Sequence, residues 1–300
     1  MASNIPTPTS SPESSDSNEE QVPPCPPDCS CCGFDRPEMN SEPVMGSIKK
    51  LLGQAFVVYG KHNDWPSDAT KTDTRIISIV SLLKKSLPKS YPVLVAEGIS
   101  GEDRDGDVLF FPQGLRVRAG EDVRRVKCEV ESDMAIVSHP RGTPVAHESR
   151  HIFVCAHGHR DRRCGRCGPE LAECIEKLQD SRTHVRKCSH IGGHKFAGNL
   201  IVYDLKFSDS GDWYGYVTPS NLNKILKHSE RKAFTSGIYQ SHWRGRTGMS
   251  KDECINYASY QRQHHRINIA IGGVVLTATL AALAAFVFKS KQTKSTVQVT

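Results

Sequence analysis

The chain has 300 residues, with 39 Lys plus Arg against 33 Asp plus Glu, 11 cysteines and 37% hydrophobic residues. That apolar share is low for a chain packed throughout, so part of it is expected to be unpacked tail. A net charge of +6 with no Lys/Arg block in the body argues against a nucleic-acid binder. The odd cysteine number argues against the disulfide frame of a small secreted domain.

In chain order, residues 1–45 form an acidic lead rich in Cys, Pro and Ser, without the apolar h-region of a secretory signal. It has too little apolar surface to offset its ordering entropy and is expected to be disordered. Cys25, Cys29, Cys31 and Cys32 crowd its end. Adjacent thiols in a Pro-rich segment have poor metal geometry, so they read as reactive or packing thiols. Residues 46–147 make a first half. Gln54–Gly60 reads as a strand, Thr74–Leu87 as a helix with Ile76, Ile77, Val80, Leu83 and Leu87 at helical spacing, stopped by Pro88. Strands follow at Pro92–Ala96 and Val108–Phe111, then a turn, a short strand and a short helix up to Val126.

Residues 148–262 repeat this order. His151–Cys155 is a strand, and Pro169–Leu178 an amphipathic helix presenting Leu171, Ala172, Ile175 and Leu178. His184–Cys188 and Asn199–Asp204 are strands. Residues 213–228 give strand, turn and helix, with Thr218 as a cap before Pro219. The order β-α-β-β-β-α in each half predicts an α/β fold of two thioredoxin-like domains in tandem.

The chain then changes character. Ile267–Phe288 is 22 residues without a charge, enough helix to span about 30 Å. His264, His265 and Arg266 precede it; Lys289, Lys291 and Lys294 follow it. Residues 263–288 are therefore expected to be a transmembrane tail anchor and 289–300 a short basic tail. This predicts a cytosol-facing protein on an organelle outer membrane, mitochondrial or plastid, in preference to the endoplasmic reticulum.

The chemistry concentrates in CAHGHRDRRCGRCGPE (155–170) and CSHIGGHKFAGN (188–199). Cys155 ends a strand, and Cys164 stands just ahead of a helix, whose N-terminus favours a thiolate. His190 and His194 flank Gly192 and Gly193, whose backbone can approach a metal closely. Two thiolates and two imidazoles make a four-ligand set for zinc or an iron–sulfur cluster. His157 and Cys188, with Gly192 and Gly193, are candidates to support that set from behind. Cys128, Cys174 and Cys254 read as small buried residues.

Cys155-x8-Cys164, SHIGGHKFAGN and WYGYVTP together resemble the sucrase/ferredoxin-like type of thioredoxin-like ferredoxins. HNDWPSDA (62–69) resembles that family's Asp-Trp-Pro motif, and WRGRTGMS (243–250) its Trp-Arg-Gly-x-x-Gly motif. The resemblance covers residues 25–254 and implies a [2Fe–2S] cluster, with one iron on Cys155 and Cys164 and the other on His190 and His194. Neutral imidazoles in place of thiolates raise a cluster's potential, and a histidine ligand can gain a proton with the electron. The expected function is therefore that of a membrane-anchored electron carrier with an unidentified redox partner protein, rather than a substrate-turning enzyme. Asp64 and Trp65 sit where an active loop would lie but carry no cysteine, so the first half is expected to pack against the second without redox chemistry of its own. Arg160, Arg162 and Arg163 are either a solvated loop or a docking face for an acidic partner. Trp243, Arg244, Gly245 and Gly248 either close over the site or end the fold.

Three alternatives remain beside this reading. A Rieske-like set would use Cys155-x-His157 and Cys188-x-His190. A dithiol oxidoreductase would use Cys164 and Cys167, spaced as CxxC at a helix start. Zinc on the same four residues would make the site structural or an interaction module.

Overall fold

Asp73 and Pro88 bracket the first helix as their chemistry requires. The Asp73 carboxylate accepts the Ile76 N–H at 2.8 Å and opens α1 (Thr74–Ser86), which buries Ile76, Val80 and Leu83. Strands β1 (Gln54–Val58), β2 (Val93–Ala96), β3 (Val108–Phe111) and β4 (Leu115–Val117) complete the first half's part of the main sheet, with β7 (Thr143–Pro144) at its edge. A separate hairpin, β5 (Lys127–Glu131) with β6 (Met134–Ser138), lies between β4 and β7 in the chain. The second half supplies β8 (Arg150–Cys155), α2 (Arg162–Leu178), β9 (Thr183–Cys188), β10 (Leu200–Asp204), β11 (Asp212–Tyr214), α3 (Leu222–Ser229) and β12 (Trp243–Arg246). These elements come from a computed structural model that describes residues 32–131, 134–178, 181–230, 238, 241–264 and 267.

The expected tandem of two domains with a membrane helix is corrected here. One mixed sheet of ten strands runs through both halves in the order β12-β11-β10-β8-β9-β2-β1-β3-β4-β7. Each half does repeat one arrangement, a parallel pair (β1 with β2, β8 with β9) and an antiparallel neighbour on the other side (β3, β10). The halves join edge to edge where β2 meets β9, with Ala96 opposite Cys188. Ser189 closes that seam twice: its N–H donates to Val95 O (2.8 Å), and its Oγ accepts the Val95 N–H (3.0 Å). One hydrophobic cluster takes Phe56 and Phe111 from the first half with Phe153 and Tyr203 from the second, and the Phe56 and Phe153 rings stack at 3.7 Å. A core shared in this way makes the halves one packing unit.

The membrane expectation is corrected as well. Among the described residues no helix is long and apolar enough to cross a membrane. The helical stretch 251–264 carries Lys251, Asp252, Glu253 and Arg262, and its inner face packs Cys254 and Ala258 into the core. Of the apolar run 267–288, all but Ile267 lies outside the described residues. The outer-membrane location was drawn from that anchor and finds no membrane-crossing helix among the described residues to rest on.

Two further expectations change. Residues 32–45 of the lead are packed: Cys32 and Val44 are buried, and Arg36 is 1% exposed. Residues 1–31, with Cys25, Cys29 and Cys31, lie outside the described residues. Helix α3 starts at Leu222 with Asn221 as its cap, three residues beyond Thr218; the two side chains bond reciprocally, Asn221 Oδ1 accepting the Thr218 N–H at 2.9 Å and Thr218 Oγ1 the Asn221 N–H at 3.3 Å.

Candidate metal centre

Strand β8, interior to the sheet, presents Cys155 at its C-terminal end, where its N–H donates to Asn199 O (3.0 Å). The chain turns through 157–161 and enters α2, whose first turn carries Cys164. Asp161 anchors that entry, accepting the Arg163 N–H and the Arg163 guanidinium, each at 3.0 Å. Two glycines let the helix press onto the strand end. A Cβ on Gly165 would lie 2.4 Å from the Gly158 Cα, and one on Gly168 would lie 2.2 Å from Cys155 O. Backbone cannot yield as a side-chain tip can, so Gly168→Ala is expected to cost about 2–3 kcal/mol. It should also separate the two sulfurs, which a thermal melt run beside metal content will show.

The approach brings Cys155, Cys164 and His190 together. Their ligand atoms all lie within 4.8 Å of one another, and both sulfurs are 3.9 Å from His190 Nδ1. Both cysteines are fully buried, and neither is in a disulfide. The hydrogen bond from Cys164 holds the Cys155 thiol well below its ordinary value, while that bond and burial push Cys164 up. The first proton the pair gives up therefore leaves Cys155, which makes that sulfur the readier cation ligand. His190 follows Ser189 directly, so the seam with the first half fixes it. Gly192 (φ +84°) and Gly193 (φ +70°) then turn the chain toward His194 in conformations that favour glycine.

His194 stands next to the trio rather than in it. Its ring lies 5.6 Å from that of His190, its Nδ1 is 3.6 Å from Asp161, and its side chain is 52% exposed. His157 lies behind. Its Nε2 is 2.7 Å from Pro66 O, and a carbonyl only accepts, so this nitrogen carries the proton. The neighbouring His159 Nδ1 donates to Trp65 O at 2.5 Å in the same way. The Asp-Trp-Pro segment of the first half thus clamps the loop between the two cysteines. Cys188 sits inside the sheet opposite Cys155, its thiol pushed up by burial. Cys167 points away: it donates to Cys32 O at 3.4 Å and has Arg36 at 3.6 Å, and burial raises its thiol to about 11. Cys164 and Cys167 are both buried with raised thiols, the reverse of what a dithiol nucleophile needs.

Several residues that hold the site escaped the sequence reading. Asn199 donates to Gly193 O (2.8 Å) and accepts from Arg244 (3.0 Å). Arg36 donates to Ala197 O and Gly33 O from within the lead. Arg244 stood in the WRGR run and Ser189 and Asn199 in SHIGGHKFAGN, so the motifs marked these residues without their roles; nothing local marked Arg36. Two buried soft donors, an imidazole facing both and a second imidazole beside it suit a thiophilic metal or an iron–sulfur cluster.

Residues 44–245 match the sucrase/ferredoxin-like family model, and the chain belongs to that family. Among curated proteins it is 40% identical over 85 residues to "Altered inheritance of mitochondria protein 32" of Candida glabrata, covering 25% of this chain and 27% of that one. It is 34% identical over 97 residues to "Actin patches distal protein 1" of Saccharomyces cerevisiae, 28% and 30% of the two chains. The protein 32 relative from Debaryomyces hansenii aligns over 229 residues at 25% identity, 62% of this chain and 82% of that one. The chain thus spans about a quarter to a third of several relatives it matches and most of another. No solved structure gives a significant match.

Proposed function

We propose that this protein is an electron carrier holding a [2Fe–2S] cluster on Cys155, Cys164, His190 and His194. The observation that carries the reading is the buried, disulfide-free thiol pair with His190 Nδ1 at 3.9 Å from both sulfurs, inside a chain of this family. Such a cluster takes up and releases one electron, at a higher potential than an all-thiolate one because two neutral ligands replace anions. The chain's own part is to hold the sulfurs away from water and to leave one ligand side at the surface. His194 is that side, and a redox partner protein would exchange electrons there. Nothing in the arrangement calls for a bound organic substrate.

A second reading rests on the compactness of the trio. Two sulfurs on one zinc at about 2.3 Å stand roughly 3.8 Å apart, and three donors within 4.8 Å suit a single ion. Visible and EPR spectra of the full chain purified without air, with iron and zinc counted, separate the two. Two irons per chain and a [2Fe–2S] spectrum support the carrier. One zinc and no colour refute it in favour of a structural site.

A further inference from the structure

Among the described residues, the buried arginines other than Arg244 have carboxylates beside them. Arg186 meets Asp103 and Glu102, Arg246 meets Asp209 and Asp212, and Arg150 meets Glu230. Arg244 in β12 is the exception. It is 2% exposed. Its Nε donates to Ser47 Oγ (3.0 Å), and one terminal nitrogen donates to Gly192 O (3.1 Å) and Asn199 Oδ1 (3.0 Å). The other terminal nitrogen reaches Ser47 O (3.4 Å), and the guanidinium lies over the Phe196 and Trp213 rings. All these partners are neutral, and among the described residues no carboxylate lies within ion-pairing distance of it. A buried cation needs compensating charge, and neutral acceptors supply only part of it. Burial pulls Arg244 down to about 10, and Cys155 and Cys164 push it back up, so the negative charge nearest in effect is the metal centre's own. The guanidinium also touches the turn between the two histidines: a Cβ on Gly193 would stand 2.3 Å from it.

We infer that Arg244 is the fixed countercharge of the metal centre, a positioning residue that sets the centre's reduction potential and its hold on the metal. This rests on the electron-carrier reading and adds the residue that tunes it. A cation held near a centre favours the reduced, more negative state, so removing it must lower the midpoint potential. It also leaves the thiolate pair less compensated, so metal escapes sooner.

The test uses the full chain, purified without air, as wild type and as Arg244→Met, Arg244→Lys and Ser47→Asp. Lysine keeps the charge without the guanidinium's fork of hydrogen bonds. Aspartate at the half-buried Ser47 gives the guanidinium a carboxylate while leaving the residue in place. The midpoint potential is read by spectroelectrochemistry, and metal loss by the rate of transfer to a chelator. Arg244→Met and Ser47→Asp are expected to shift the potential downward and to speed metal loss several-fold, with Arg244→Lys staying near wild type. Ser47→Asp carries the test if Arg244→Met does not fold. A potential unmoved in Ser47→Asp, or Arg244→Lys displaced as far as Arg244→Met, overturns the inference. A wild type that holds zinc fails the electron-carrier reading instead, and the chelator rates then decide the countercharge alone. A wild type that holds no metal sinks both.

Discussion

Alanine at Cys155, Cys164 or His190 is expected to take the bound metal from full stoichiometry to near zero, while His194→Ala leaves a loosely held remainder. The first three supply the donor atoms that lie within 4.8 Å of one another. His194 sits outside that trio, turned toward Asp161 and half exposed, so its loss opens the site at the surface without dismantling the inner set. Metal held by such a donor set contributes about 10 kcal/mol or more in small zinc domains, and removing a central ligand forfeits most of that. Cys167→Ala and Cys188→Ala are the controls. Cys167 is directed at the Cys32 carbonyl and Cys188 lies within the sheet, so both variants should keep metal at wild-type stoichiometry. Metal analysis beside circular dichroism reads the series. Retention of metal in both the Cys155 and Cys164 variants would refute the ligand assignment, and loss in Cys167→Ala would return weight to the dithiol.

The parts of this site that were legible in the sequence are those carried by local pattern. Cys155 and Cys164 announce themselves by spacing, and the strands at 93–96, 108–111 and 183–188 by short apolar or alternating runs between turn residues. The helix after the first cysteine was placed at Pro169, because proline favours the first helical position. It begins instead at Arg162, with Pro169 inside it, since Gly165 and Gly168 allow the preceding turns to pack against Gly158 and Cys155. That close approach is a tertiary fact with no local signature. The same holds for the lead. Its composition reads as disorder, yet Arg36 is buried through bonds to Gly33 and Ala197, and composition cannot show a polar side chain finding carbonyls across 161 positions. The seam is the largest omission. Joining β2 to β9 uses one registered pair, the Glu97 N–H on Lys187 O and the two bonds of Ser189, which no periodicity encodes.

Loosening that seam is expected to release metal although no ligand is touched. Asp103 and Arg186 are fully buried as a pair at 2.8 Å, joined by Arg116 and Glu102, with His184 on the far side of Glu102. Arg186→Leu removes the central cation and leaves Asp103 with Arg116 and the Ile99 N–H. Breaking such a pair from one side costs about 3 kcal/mol, enough to lower the melting temperature by several degrees. Since Ser189 and His190 follow Arg186 on the same edge, metal should also leave this variant faster than wild type. The network sets the acid limb of stability too. Burial would raise the Glu102 carboxyl, but His184 and Arg186 hold it well below the carboxylate range. Its contribution is therefore present above the unfolded value of about 4.3 and is lost as pH falls toward the depressed folded value. Burial, then the charge of Arg186, hold His151 well below the usual imidazole value. That term is complete only above about 6.5 and is lost as pH falls below it. Urea titrations from pH 7 to pH 3 should show two successive declines, and Glu102→Gln should shrink the lower one, which Glu97 and Asp161, also held below the ordinary carboxylate range, continue to feed. A single decline, or an Arg186→Leu protein that melts with the wild type and keeps its metal, would mean that the two halves hold the site independently of their seam.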